Sequence, residues 1–216
     1  MKHFKQILYF SSDIVAIIKC DPALKWKTFW FLEILLYPSL YVMFFHRISH
    51  FLFWLKIPFI PRLISQILRF FTWVEIHPWA YIDKWFFIDH WMWVVIWETT
   101  EIWKNVTIYH QVTLWWTSMK QEKRHPTIWD NVLIWAGAKL FWNIKIWNNS
   151  QIGWWSVITK DVPNNSVCVW NPWRIIKINW KKYIPVEKLD QTHLPDPIWD
   201  RLDRIEKEIL IFNNKK

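Results

Sequence analysis

Aliphatic residues recur at every sixth position through the middle of the chain. They form two runs separated by one interruption: Ile96, Ile102, Ile108 and Leu114, then Ile128, Ile134, Leu140, Ile146, Ile152 and Ile158. A small or β-branched residue stands four positions after most of them, as at Thr100, Val106, Val112, Val132, Ala138, Ile144, Ser150 and Ser156. An amphipathic helix would repeat near 3.6 residues and an ordinary strand near 2. A period of six with two inward positions predicts a mainly β chain folded as a parallel β-helix, in which short strands stack into triangular coils.

The residues before the repeat have a different pattern and are predicted to form a helical lobe at 1–72. Asp21 and Pro22 have the sequence of a helix N-cap followed by proline at the first helical position. Pro61 opens a later segment whose apolar residues fall on one helical face. We therefore expect several helices ahead of the coil.

The coil and the tail are predicted as two further segments. The β-helix domain is expected at 73–178, with a polar inserted loop at 116–127. Insertions of this kind project from one edge of a repeat stack and often form a binding site. The tail at 179–216 is predicted to contain a helix, because it carries an apolar stripe at Ile198, Leu202, Ile205 and Ile209.

Tryptophan and glycine occur in unusual proportion, with 22 tryptophans and 2 glycines, where average usage would give about 15 glycines. Most tryptophans of the repeat directly follow an inward aliphatic residue, in the register that Gly153 also occupies: Trp97, Trp103, Trp115, Trp129, Trp135 and Trp147. We expect a tight corner there, where close backbone approach and unusual dihedrals favour glycine. In the chain as written, the indoles should project from these corners toward solvent or neighbouring subunits.

This pattern leads to a hypothesis about the chain itself. Most of these tryptophans are glycine in the living protein if the cell reads the UGA codon as glycine and the translation reads it as tryptophan. The alternative is a natural tryptophan-rich coil, which would leave the missing glycines unexplained. The exchange is neutral, so the net charge of +9 is the same in both cases.

Charge and cysteine content narrow the function classes. The positive charge is spread along the chain rather than concentrated in one stripe, which does not favour nucleic acid and suits an acidic ligand such as a nucleotide-bearing cofactor. Cys20 and Cys168 lack metal-type spacing, and the first residues lack the pattern of a signal peptide, so we expect a cytoplasmic protein. The longest charge-free apolar run, 34–45, is too short to span a bilayer and contains a proline.

The six-residue phase slips once, between Ile88 and Ile96, and the slip contains Asp89 and His90. An irregularity in a regular coil re-aims side chains, so His90 is a candidate catalytic residue. The alternative role for His90 is a corner histidine bonded to the backbone.

The order of short motifs resembles the serine acetyltransferase family, the hexapeptide-repeat acyltransferases that make O-acetylserine for cysteine biosynthesis. With the tryptophans taken as glycine, the motifs are EIHPGA from Glu75, FIDHGMGVVIGET around His90, KRHP at 123–126 and IGAGA around Gly137. The resemblance covers nearly the whole chain, including DPAL at 21–24. It implies a left-handed parallel β-helix and transfer of an acetyl group from acetyl-CoA to the hydroxyl of L-serine.

The resemblance also implies roles for individual residues. His90 would be the general base that takes the serine hydroxyl proton, and Glu75 would orient its ring. Arg124 would pair with the substrate carboxylate. The remaining substrate-binding positions, which match the family's carboxylates and its second active-site histidine, are Asp21, Asp89, Glu98 and His125.

Acetyl-CoA is expected in a groove between adjacent coils. Its carbonyl oxygen would approach backbone N–H groups of the inserted loop, and the pantetheine and nucleotide would contact later corners. The positions implied near the carbonyl oxygen are Trp115, Trp116 and Thr117. Those implied near the pantetheine and the nucleotide are Ala136, Gly137, Ala138, Ser156 and Lys160. No metal is expected, because His46 and His50, although four apart on a predicted helix, lack a third ligand.

The family pattern implies a homotrimer in which two subunits share each site, and it leaves open a dimer of trimers. The chain ends in Asn-Asn-Lys-Lys rather than the isoleucine with which many family members dock into the next enzyme of the pathway, so that complex is not favoured. Two other functions remain open. One is a hexapeptide-repeat acetyltransferase for a sugar or another amine or hydroxyl acceptor, and the other is a non-catalytic β-helix scaffold.

Overall fold

The structure is a computed structural model that describes residues 2–26, 29–116, 121–169, 174–179 and 205. The chain divides into two compact units, residues 1–179 and 180–216. In the second unit only Ile205 is described, so the predicted tail helix, with its other stripe residues and the terminal Asn-Asn-Lys-Lys, lies outside the described residues.

The first unit begins with helices and short 3₁₀ turns. The α-helices are α1 (Lys2–Lys5), α2 (Phe10–Cys20), α3 (Trp30–Glu33), α4 (Pro38–Trp54) and α5 (Ile60–Thr72), and the 3₁₀ turns are Gln6–Tyr9, Pro22–Trp26 and Ile34–Leu36. The predicted N-cap is confirmed, because the Asp21 carboxylate accepts a hydrogen bond from the backbone N–H of Ala23 at 2.8 Å. The element it opens is the 3₁₀ turn Pro22–Trp26.

Fifteen short strands follow in the described part of the chain. They are β1 (Glu75–Ile76), β2 (Tyr81–Ile82), β3 (Phe87–Asp89), β4 (Val95–Ile96), β5 (Glu101–Ile102), β6 (Thr107–Tyr109), β7 (Thr113–Trp115), β8 (Thr127–Ile128), β9 (Leu133–Ile134), β10 (Lys139–Phe141), β11 (Lys145–Ile146), β12 (Gln151–Ile152), β13 (Val157–Ile158), β14 (Ser166–Val169) and β15 (Arg174–Ile178).

The strands form three sheets, one on each side of a triangular coil. The first sheet has the order β1-β4-β7-β10-β13, the second β2-β5-β8-β11 and the third β3-β6-β9-β12-β14-β15. Every pairing is parallel except that of β14 with β15, which closes the described coil. Successive coils place Val95 beside Thr113 and Lys139 beside Val157. This is the left-handed parallel β-helix that the six-residue period and the family resemblance predict.

The core of the coil is a ladder of aliphatic side chains from all three sheets. Every inward residue of the two predicted runs, from Ile96 to Ile158, is completely buried. Close packing of branched side chains leaves no room for an indole inside the coil. The predicted register is therefore confirmed.

The indoles that follow these aliphatic residues lie outside the aliphatic core, as expected, but several cover one another. Trp103, Trp129 and Trp147 lie one coil apart, are partly exposed and stack face to face, with ring centroids 5.2 and 5.3 Å apart. Trp115 is exposed, whereas Trp135 is buried against Tyr109, with centroids 4.6 Å apart. The expectation that these indoles point to solvent was therefore wrong for Trp135.

The corners use left-handed backbone at repeated positions. The corner between the third and first sheets, which we call the His90 corner, has positive φ at Trp73, Trp93, Gln111, Gly137 and Trp155. The corner between the second and third sheets has positive φ at Trp85, Asn105, Asn131, Asn149 and Asn165. The corner between the first and second sheets, which carries Glu98 and the inserted loop, is called the loop corner. Asparagine and glycine tolerate positive φ, whereas a bulky residue there is an outlier.

The register of Gly153 needs glycine for a different reason than expected. Gly153 and the tryptophans that share its register do not have positive φ. A β-carbon added to Gly153 would lie 2.7 Å from Val169 Cγ1 and 3.3 Å from the carbonyl oxygen of Cys168. Close approach is therefore confirmed at Gly153, and the expectation of unusual dihedrals in that register was wrong.

Arg47 joins the helical lobe to the first coil. Its guanidinium is buried, pairs with both carboxylate oxygens of Asp13 at 3.0 and 3.1 Å, and donates to the carbonyl oxygens of Ile82 and Asp83. Burial raises the pKa of Asp13 to about 6. Because this value is still below neutral pH, the carboxylate and the guanidinium are both charged there. The lobe is thus held in a defined position beside strands β2 and β3. Across the described residues, no helix is long and apolar enough to cross a membrane.

Candidate active site

His90 lies at the phase slip, where the chain passes from β3 in the third sheet to β4 in the first. Its backbone is left-handed, with φ of 52°. Its side chain is 73% exposed, and Nε2 lies 3.9 Å from a carboxylate oxygen of Asp89. The ring of His110, one coil further on, packs edge-on with its centroid 6.0 Å away. The imidazole is therefore presented at the surface rather than used to bond the corner backbone.

Two carboxylates from different parts of the fold lie near each other, and one of them, Asp89, lies beside His90. Asp89 ends β3, and Asp21 follows α2 in the helical lobe; the Tyr37 hydroxyl donates a hydrogen bond to Asp21. The pKa of Asp89 is raised, first by burial and then by the negative charge of Asp21, against the lowering effect of His90. Burial and Asp89 raise the pKa of Tyr109 to about 12. Lobe and coil thus bring two carboxylates together beside the imidazole, an arrangement that suits a small cation.

Glu75 has other partners than the one expected. Its carboxylate is paired with Arg62 of α5 at 3.1 Å and with Arg69 of the same helix at 3.4 Å. Glu75 also lines a cavity of about 660 Å³ whose walls include Trp73 and Trp93, with ring centroids 4.9 Å apart and planes tilted by 45°. Among the contacts of the described residues, none joins Glu75 to His90. The orienting role of Glu75 stays a prediction.

A second group of candidate residues lies at the loop corner. Arg124 pairs with Glu98 at 2.5 Å, and its guanidinium lies over the Trp116 ring, 4.5 Å from the centroid. A polar cavity of about 300 Å³ is lined by Glu98, Thr99, Gln121, Glu122 and Arg124. A guanidinium at the wall of a polar cavity can bind a carboxylate in a bidentate manner.

His125 is buried at the base of this loop. Its Nδ1 lies 2.8 Å from the Thr99 hydroxyl and accepts the backbone N–H of Thr99 at 3.2 Å. Burial, followed by the charges of Arg124 and Lys123, lowers the pKa of His125 to about 4. Thr99 was missed in the sequence; its only signal there is that it follows Glu98 at a corner that faces the insertion.

The positions expected to bind acetyl-CoA fall at two corners. Gly137 and Ala138 lie at the His90 corner, and the backbone of Ala136 accepts a hydrogen bond from Trp155 N–H at 3.0 Å on the next coil, beside Ser156. Trp115 and Trp116 lie at the loop corner, Lys160 is exposed after β13, and Thr117 lies outside the described residues. The Ser156 hydroxyl is buried and has no hydrogen-bond partner within the described part of the chain.

The structure therefore separates the candidate residues into two groups. Asp21, Asp89 and His90 meet at one corner of a single chain, and Glu98, Arg124 and His125 meet at another. No group of three histidine, cysteine, aspartate or glutamate side chains suited to a metal occurs in the described ranges.

Known proteins of one family are similar to this chain over most of its length. No protein-family model matches the chain. A serine acetyltransferase of Bacillus subtilis is 46% identical over 198 residues, which cover 92% of this chain and 89% of the relative. The chain belongs to the serine acetyltransferase family.

Solved structures of the same family agree in fold. A soybean serine acetyltransferase complexed with serine matches with a TM-score of 0.73 and 34% identity, over 78% of this chain and 68% of that one. A Brucella abortus serine acetyltransferase in complex with coenzyme A matches with a TM-score of 0.74 and 31% identity, over 80% and 68% of the two chains. Both matches cover more than three quarters of this chain.

Proposed function

We propose that the chain transfers the acetyl group of acetyl-CoA to the hydroxyl of L-serine and so supplies O-acetylserine for cysteine biosynthesis. The observation that carries the proposal is the pair of carboxylates, Asp21 and Asp89, beside the exposed imidazole of His90. Serine carries an ammonium group close to its hydroxyl, so carboxylates that bind the ammonium bring the hydroxyl to the base. The family membership supports the same reaction.

In this reaction the serine oxygen attacks the thioester carbonyl carbon while His90 takes the hydroxyl proton. The carbon–sulfur bond then breaks, and the leaving sulfur receives that proton from the imidazolium. Asp89, within 3.9 Å of the ring, favours the charged imidazolium during the transfer. Glu75 would orient the ring, and for this its carboxylate has to exchange an arginine contact for the imidazole.

The loop corner would hold the other end of serine. Arg124 would exchange Glu98 for the substrate carboxylate, which it could bind in a bidentate manner in the 300 Å³ cavity. Glu98 would then be available to the substrate, and His125 would donate a hydrogen bond to the substrate carboxylate. The soybean relative was solved with serine bound, which supports an amino acid as the ligand.

Acetyl-CoA would lie along the stacked corners. We assign it the backbone of the loop after β7 and the small residues of the His90 corner, where an acyl thioester would pass within reach of His90. The positions are Trp115, Trp116, Thr117, Ala136, Gly137, Ala138, Ser156 and Lys160. The Brucella relative was solved with coenzyme A, which supports this class of co-substrate.

The active site would be completed by a neighbouring subunit. His90 and Arg124 lie at different corners of the β-helix, so we infer that a single chain does not surround one serine with both groups. We propose a homotrimer, with His90 of one subunit facing Arg124 and His125 of the next; pairing of two trimers through the helical lobe would give a hexamer. His90→Ala subunits lack the base and Arg124→Ala subunits bind serine weakly, so mixing the two should create some sites with both original residues and raise the rate at low serine concentration above the sum of the separate variants. A rate equal to that sum would contradict shared sites.

We also propose that most tryptophans of the coil are glycine in the living protein. Trp73, Trp85, Trp93, Trp142 and Trp155 have positive φ, as Gly137 does. The indole N–H groups of Trp97, Trp129 and Trp135 are buried without an acceptor among the described residues, and each such group costs about 1–3 kcal/mol. Peptide mass spectrometry of protein from the native cell should find glycine at Trp97, Trp103, Trp129, Trp135 and Trp147. Finding tryptophan at these positions would refute the recoding.

The proposed organisation is a helical lobe at 1–72, a catalytic β-helix at 73–178 with the inserted loop 116–127, and a tail at 179–216. Cys20 and Cys168 are both free thiols, which supports a cytoplasmic enzyme. The experiment for function is an assay of coenzyme A release with L-serine, with O-acetylserine identified by mass spectrometry. Acetylation of a sugar instead would favour the related acetyltransferases, and no turnover would favour a scaffold.

A further inference from the structure

Thr99 attaches the inserted loop to the coil. Its hydroxyl oxygen accepts hydrogen bonds from the backbone N–H groups of Arg124 at 3.0 Å and of His125 at 3.1 Å. The same oxygen lies 2.8 Å from Nδ1 of the His125 ring. The backbone N–H of Thr99 points to this Nδ1 as well, at 3.2 Å. One residue therefore contacts both the backbone and the ring of the candidate histidine.

The direction of the bond between Thr99 and His125 follows from the donors around it. A hydroxyl has one hydrogen and two lone pairs. Both lone pairs of Thr99 face backbone N–H groups, which can only donate, so the hydroxyl hydrogen is left for Nδ1. The backbone N–H of Thr99 also needs an acceptor at Nδ1. That nitrogen must carry its lone pair, and the ring hydrogen of neutral His125 is therefore on Nε2.

The surroundings of His125 keep its ring neutral. The side chain is 2% exposed, and the cations of Arg124 and Lys123 lie close to it. The Lys123 ammonium donates to the carbonyl oxygens of Thr99 at 2.5 Å and of His125 at 2.9 Å, which holds this cation in place. An imidazolium would need a hydrogen on Nδ1, where two donors already point.

We propose that Thr99 is a positioning residue that holds His125 in its neutral Nε2–H form, so that His125 donates to the carboxylate of the amino-acid substrate and takes no proton. The inference rests on the proposed function and deepens it, because it gives the two histidines different roles. His90 accepts the proton of the reaction, and His125 serves as a fixed donor beside Arg124.

The first test is the hydrogen position in the full-length chain, deuterated and ¹⁵N-labelled at histidine. In the NMR spectrum at pH 7, His125, assigned by its loss in His125→Gln, should show an unprotonated Nδ1 and a protonated Nε2. A proton on Nδ1 would overturn the proposal. This measurement does not depend on turnover, so a chain that failed to acetylate serine would contradict the proposed function and leave this result valid.

The second test uses matched threonine variants. Thr99→Val should raise KM for serine about tenfold while kcat changes less than about twofold, because a ground-state contact is weakened. Thr99→Ser keeps the hydroxyl and should restore KM. Thr100→Val is the control, since the adjacent Thr100 hydroxyl is buried without a partner among the described residues. Equal KM values for Thr99→Val and Thr100→Val would overturn the proposal.

Discussion

The indole of Trp155 lies directly against Gly137, one coil below it at the His90 corner. A β-carbon built on Gly137 would be 2.5 Å from Cδ2 of Trp155, which is closer than real β-carbons approach. Both residues have positive φ, 74° at Gly137 and 53° at Trp155. The same corner position is therefore occupied by glycine on one coil and by a strained tryptophan on the next.

Trp155→Gly should stabilise the chain by about 1 kcal/mol, because it removes a bulky residue from left-handed backbone. The Trp155 side chain is largely exposed, so little burial is lost. The measurement is the free energy of unfolding in urea. Trp154→Gly is the matched control: Trp154 is also exposed but does not have positive φ, so its replacement should destabilise through added backbone freedom. A Trp155→Gly variant no more stable than Trp154→Gly would contradict the assignment.

The six-residue period was sufficient to predict the coil, since Ile96 and its equivalents fill an interior that is mainly aliphatic. The left-handed backbone of the His90 corner could not be predicted, because Trp93, Gln111 and Gly137 share a backbone conformation and no side-chain property. The phase slip and the resemblance both indicate His90 as the base, which stays a prediction, and the structure adds that Asp21 of the helical lobe lies near Asp89 of the coil.

The partners of Glu75 and the hydrogen bonds of Thr99 could not be predicted from the sequence, because they join elements that are distant along the chain. Glu75 meets two arginines because α5 packs beside β1, and spacing alone does not reveal that contact. The bonds of Thr99 to Arg124 and His125 bridge the whole inserted loop. A short motif such as KRHP names the loop residues but carries no information about the hydroxyl that holds them.

His90→Ala should lower kcat by about 10²–10⁴, the usual contribution of a general base. The variant should fold, because the His90 side chain is exposed and lies outside the core. Steady-state release of coenzyme A with L-serine is the measurement. His110→Ala, at the same corner one coil on, is the control and should stay within about threefold. An undiminished rate in His90→Ala would rule out this residue as the base.

Arg124→Ala should raise KM for serine by roughly tenfold to a hundredfold and leave kcat nearly unchanged, because the carboxylate contact exists in both ground and transition states. Arg124→Lys should recover only part of this loss, since an ammonium cannot pair with a carboxylate in a bidentate manner. KM for serine and for acetyl-CoA should be measured together. A rise confined to acetyl-CoA would move Arg124 to the co-substrate site.

Tyr37→Phe should raise KM for serine severalfold with a smaller effect on kcat. The Tyr37 hydroxyl donates to one oxygen of Asp21, and the Ala23 backbone N–H donates to the other, so the variant loses one of two donors that hold this carboxylate near Asp89. Tyr41→Phe is a suitable control, because the Tyr41 hydroxyl bonds the Leu35 carbonyl instead of Asp21. If the two variants had the same KM, Asp21 would not depend on Tyr37 for its position.

The stability of the fold should fall as the pH is lowered from about 6.5 toward 4, and His50 should contribute to this loss. His50 donates through Nδ1 to the Pro78 carbonyl at 2.8 Å and accepts from the Gln6 amide through Nε2 at 2.9 Å, so its ring is neutral. Burial, followed by the positive charges of His3 and Arg47, lowers the pKa of His50 to about 4. An unfolded histidine titrates near 6.5.

Between these two pH values the unfolded chain binds a proton at His50 that the folded chain does not, so stability rises with pH. His50→Gln keeps a donor and an acceptor but cannot titrate. The pH dependence of its unfolding free energy, measured in urea at pH 4.5–7.5, should be shallower than that of the unmodified chain by up to about 1.4 kcal/mol per pH unit near pH 5. The raised pKa of Asp13 acts with the opposite sign in both proteins and cancels in the difference. Parallel curves for the two proteins would show that the pKa of His50 is the same in the folded and unfolded chains.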